Sequence, residues 1–127
     1  MRPLQWVFLL NATLLTLHQI DAAYWQEWQM FRLPGGNQLN LLLNLPIFLL
    51  VFGLFRWVIL DHPRVRLAHR MLAFLGLLAV VIHASFWAAG YPEFRQPASM
   101  LILAGTGLLS LWQWVGAGRL PRATEAA

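Results

Sequence analysis

The chain has no cysteine among its 127 residues. Disulfides, thiolate metal centres, iron–sulfur clusters and a cysteine nucleophile are therefore excluded. Lysine is absent too, so all nine basic residues are arginines. Charge is scarce: 11% of residues carry it, where a soluble domain has about 25%. The arginines lie between apolar blocks, and this excludes the contiguous basic face that nucleic acid requires. There is no glycine-rich phosphate loop, and neither Ser85 nor Ser99 has a base partner that would suggest a nucleophile triad.

Apolar residues are plentiful, at 59%, and they come in long blocks. A helix needs about 20 of them to cross the hydrocarbon core of a bilayer. Blocks at 4–23, 40–60, 67–90 and 97–115 predict an all-α fold, an integral membrane four-helix bundle in one domain over 1–127. Arg2 precedes the first block as it would in a signal peptide. Asn11, Thr13, Thr16, His18 and Asp21 interrupt that block and no small-x-small cleavage site follows, so it reads as a retained span. The aromatic stretch Tyr24–Phe31 suits the membrane interface. Pro34-Gly35-Gly36 and Tyr91–Gln96 predict turns, Pro46 predicts a kink, and Pro97 suits the first turn of the last helix. Gly76, Ala84, Gly105, Gly107 and Ser110 predict close packing of the third and fourth spans.

Four spans put both termini and the middle loop on one side of the membrane. Arg2, Arg56, Arg64, Arg66, Arg70, Arg119 and Arg122 fall there, and Arg32 and Arg95 fall on the other. The positive-inside rule then predicts a multi-pass inner-membrane protein with N-in/C-in topology. Its expected partners are the lipid bilayer and anionic lipid headgroups at the cytoplasmic Arg loop. So strong a bias argues against dual topology.

Ionisable residues inside spans are expensive and usually functional. His18, Asp21 and His83 are the candidates here, and they are the expected metal ligands. Asn44, Glu27, Trp25 and Asn11 are expected to support the same pocket. Depth unites them. His18 and Asp21 lie near the outer end of the first span, Asn44 about one turn into the second, and His83 about two turns from the end of the third. His18 and Asp21 are neighbours on one helix face, with Asp21 placed to accept a hydrogen bond from His18. Asn11 and Trp25 continue their stripe, whereas Glu27 joins only if the helix breaks near Ala22 or Ala23.

Five chemistries suit such a cluster: a divalent metal on imidazole and carboxylate, a b-type haem held by His18 and His83, a small ligand or substrate in the pocket, a proton relay through His18 and Asp21, or hydrogen bonds that only hold the helices together. The last would make the chain a non-enzymatic accessory or structural subunit, its small-residue faces bound to a membrane-protein partner or a second copy. The alternatives differ in one observable: a binding site leaves polar atoms unsatisfied around an open pocket, and structural glue satisfies them. His62 and His69 read as solvated residues of the basic loop.

The run His18-Gln19-Ile20-Asp21-Ala22-Ala23-Tyr24-Trp25-Gln26-Glu27-Trp28, followed by Leu33-Pro34-Gly35-Gly36 and Leu43-Asn44, resembles a family of small, uncharacterised multi-pass bacterial membrane proteins. Their pattern is H-x-x-D-A-x-Y-W-x-E-W with an LPGG turn. The run is more loosely similar to the HxxEE membrane proteins, from which Asp21-Ala22 departs in place of paired glutamates. The resemblance implies a fold of this size with a motif on the outer face, and no activity.

Overall fold

The computed structural model describes residues 1–120, so Arg122 lies outside the described residues. Five helices and no strand occur among them: α1 Pro3–Tyr24, α2 Glu27–Met30, α3 Gly36–Ile59, α4 Val65–Ala88 and α5 Pro97–Gly118. The long helices have 22 to 24 residues, or about 33–36 Å at 1.5 Å per residue, against a hydrocarbon core of ~30 Å. Three of them, α3, α4 and α5, are long and apolar enough to cross a membrane. α1 matches α5 in length but carries Asn11, Thr13, Thr16, His18 and Asp21.

Proline and glycine punctuate the chain. Pro3 and Pro97 open α1 and α5, where a missing N–H costs nothing. Gly35, at φ +102, leads into α3, and a Cβ there would meet the Leu39 Cβ at 3.0 Å. Pro46 is accommodated within α3. Hydroxyls that would otherwise face an apolar exterior bond back to their own helix: Thr13 donates to the Leu9 carbonyl and Thr16 to that of Ala12.

Large apolar side chains cover the outside, among them Leu101, 73% exposed, and Leu108, 70% exposed. The interior is built from small and polar residues as well as apolar ones. α4 and α5 meet where Gly76 faces Ser110 and Thr106, and a Cβ on Gly76 would lie 2.1 Å from the Ser110 Oγ. Beside this contact runs a buried network: Asn11 donates to Ser110 Oγ (3.0 Å) and to Gln113 Oε1 (2.8 Å), and Gln113 Nε2 reaches His69 Nδ1 (3.2 Å). His69 is therefore not the solvated loop residue expected. α4 begins at Val65, so His69 lies within its first turns, edge-on to Phe8 at 5.4 Å between ring centres. Its stripe was legible in the sequence, since His69, Gly76 and His83 are seven residues apart, two turns each time.

One end of the bundle gathers Arg2, paired with Asp61, and Gln5, which donates to the Val58 carbonyl; Leu120 lines the same cavity there. The chain start, the α3–α4 turn and the end of α5 thus share that end. The opposite end holds α2 and the α4–α5 turn. Trp87 Nε1 donates to the Glu93 carbonyl in this turn. The turn buries Phe94 completely, at a φ of +62 that bulky residues seldom adopt.

Candidate functional site

Helix α1 stops at Tyr24 because Gln26 takes a left-handed conformation (φ 52, ψ 48). The break falls two to four residues beyond Ala22 and Ala23, and it turns α2 back over the bundle. Its effect is to bring in Glu27, half a turn out of phase with His18 on an unbroken helix. His18 of α1, Glu27 of α2 and His83 of α4 each place one ligand atom within 4.8 Å of the other two.

The histidine rings touch edge to face, 4.6 Å between centres, and both residues are at least 98% buried (2% and 1% exposed). His83 Nδ1 donates to the Ala79 carbonyl at 2.7 Å, which leaves Nε2 as the bare lone pair. That nitrogen lies 3.5 Å from Glu27 Oε1 and has no hydrogen-bond partner, and His18 Nδ1 has none either. Phe94 closes the top of the site, 4.2 Å from the His83 ring centre and 5.8 Å from that of His18. Glu27 sits outside the four long helices, only 15% exposed. Burial first, and the Asp21 charge second, push its carboxyl up to about 7.

The donor set is two imidazoles and one carboxylate. Zinc binds such ligands at about 2.0–2.1 Å, which in a tetrahedron puts neighbouring donor atoms roughly 3.4 Å apart. The separation of His83 Nε2 and Glu27 Oε1 is 3.5 Å. Three protein ligands leave a fourth position open. The Nδ1–H of His83 on a backbone carbonyl is the usual second support of a metal-bound histidine. A b-type haem does not fit between these histidines. Axial ligands stand on opposite faces of the macrocycle, and the His18 and His83 rings are in direct contact.

The remaining expected residues lie outside the trio. Asp21 has a buried Oδ2 without a partner; it takes no hydrogen bond from His18 Nδ1, contrary to the sequence expectation. A one-turn spacing makes neighbours of two side chains without aiming their polar atoms at each other. Trp25 lies 6.1 Å from the Phe94 ring centre, its Nε1 unpartnered. Asn44 donates to Asn40, at 2.9 Å to its carbonyl and 3.0 Å to its Oδ1. Asn11 belongs to the Ser110–Gln113 network instead.

Two cavities meet at Glu27. One, of about 230 Å³, lies among α1, α3 and α4 and has His18, Glu27 and His83 in its wall. The other, of about 300 Å³, is lined by Gln19, Trp28, Asn40 and Asn44 as well as Glu27.

The sequence pattern of a family of unknown function (DUF6713) matches residues 4–119. The chain belongs to that family. The family therefore embraces all five helices of the fold apart from Pro3, and every residue of the site. No curated protein and no solved structure matches the chain.

Proposed function

We propose that this member of the family is a four-span inner-membrane protein that binds a divalent transition metal, with His18, Glu27 and His83 as ligands. α1 is the fourth span; Asn11 and His18 turn inward onto other helices, and Thr13 and Thr16 bond back to α1 itself. The observation that carries the metal reading is the convergence of three donor atoms from three separate helices, two of them from buried imidazoles that each keep a ring nitrogen without a partner. A cluster that served only to hold helices together would satisfy those atoms. The Asn11–Ser110–Gln113–His69 network does so for three of its four members, elsewhere in the same bundle.

The test is metal analysis of protein purified in detergent, followed by titration of the stripped protein with zinc. We expect close to one metal per chain, and loss of at least about 100-fold in affinity for His83→Ala, with the bundle still inserted. Unchanged metal content in His83→Ala, or none in the parent under zinc saturation, would refute the reading.

A further inference from the structure

The larger question is what occupies the open position. The cavity of about 230 Å³ has its polar groups at one end and apolar ones at the other. His18 and His83 mark the polar end, near the last turns of α1 and α4. The cavity wall runs back from His18 to Ala12 and from His83 to Leu75, about 9 and 12 Å along the helices at 1.5 Å per residue. Along that length it meets Leu15, Val51 and Leu75. The gradient is that of a lipid chain in a leaflet: oxygen near the membrane face, hydrocarbon towards the centre.

The cavity also has a side towards lipid. In α3 only Asn44, Val51, Leu54 and Val58 are buried, so most of this helix faces outward. Leu78 and Phe31, both lining the cavity, are 41% and 43% exposed. An occupant can therefore enter sideways from the bilayer.

The open position selects the head group. Asp21 is not among the converged donors, and a metal held by imidazole and carboxylate accepts a further carboxylate oxygen at about 2.0–2.2 Å. We infer that the cavity binds a single-chain fatty acid, its carboxylate completing the coordination of the metal and its chain lying along Leu15, Val51 and Leu75. This rests on the metal reading above.

The experiment uses full-length protein in nanodiscs, zinc-loaded or stripped, with a decanoic acid carrying a diazirine in its chain. After irradiation, labelled peptides are mapped and zinc is counted. We expect labelling concentrated on the cavity walls of α1, α3 and α4, competed by decanoic acid, and reduced about tenfold on removal of zinc. Val51→Trp fills the cavity and should reduce labelling as much while keeping its zinc. Ile47→Trp, on the same wall, repeats the test should Val51→Trp fail to fold. If zinc binds normally but labelling spreads over exposed positions such as Leu101 and Leu108, or ignores zinc and both tryptophans, the fatty-acid inference falls and the metal site stands. If no zinc binds, the metal reading falls and this inference with it.

Discussion

At the scale of single residues, Glu27 is the one whose chemistry depends most on its surroundings. It is an ordinary carboxylate in an aromatic stretch of sequence, and the left-handed Gln26 delivers it to the two histidines. Burial, with Asp21 as a second cause, holds its proton up to about 7. A metal must displace that proton, so affinity should fall as pH drops below about 7 and level off above it, as far as this group contributes. Asp21→Asn removes the like charge and should bring the Glu27 carboxyl back towards its usual range. The fall in affinity would then begin at lower pH than in the parent. Zinc competition against a chromophoric chelator, from about pH 5.5 to about pH 8.5, brackets the titration and measures both curves. An unshifted curve in Asp21→Asn would show that Asp21 acts otherwise, for instance as a ligand itself.

Elements pack here through small residues. Gly76 is in contact with Ser110 and Thr106 on α5, and no side chain fits between. Gly107 lies on the same pair of helices, but a Cβ there would meet Val80 at an ordinary 3.4 Å. Gly76→Ala should therefore push α4 from α5 and cost about 1–3 kcal/mol, as overpacking does. Gly107→Ala should be close to neutral. Thermal unfolding of both variants in the same detergent separates them, and equal losses would contradict the packing described. Since His83 lies seven residues beyond Gly76 on the same stripe of α4, Gly76→Ala should also weaken zinc binding, whereas Gly107→Ala should leave it unchanged.

For the whole molecule the question is direction. The chain start, the α3–α4 turn and the end of α5 share one end of the bundle, and Arg2, Arg56, Arg64, Arg66, Arg70 and Arg119 belong to those segments. The proposed topology puts that end in the cytoplasm. Alkaline phosphatase fused after Ala127 should then be inactive and a green fluorescent protein there should fluoresce. Fused in the Pro34–Gly36 turn or the Tyr91–Gln96 turn, the two reporters should behave the other way round. The reverse pattern would invert the molecule and place the His18–Glu27–His83 site in the cytoplasmic half.

The apolar blocks, the turns at Pro34–Gly36 and Tyr91–Gln96 and the meeting of His18 with His83 were legible in the sequence. They follow from length, composition and depth, which are additive along a chain. Close packing of α4 on α5 was legible for the same reason, since small residues at helical spacing leave little other use. Tertiary structure alone decided which polar residues joined which cluster. Asn11 shares a stripe with His18 but bonds to Ser110 and Gln113, because α5 rather than α4 lies against that part of α1. His69, near the start of the third apolar block, read as solvated because its partner, Gln113 of α5, is 44 residues away. Glu27 entered the site, and Asp21 stayed at its edge, through one left-handed residue at Gln26. Gln26 is neither glycine nor asparagine, so no local preference announced that conformation, and the residue it delivers, Glu27, meets His83 of a helix distant in sequence.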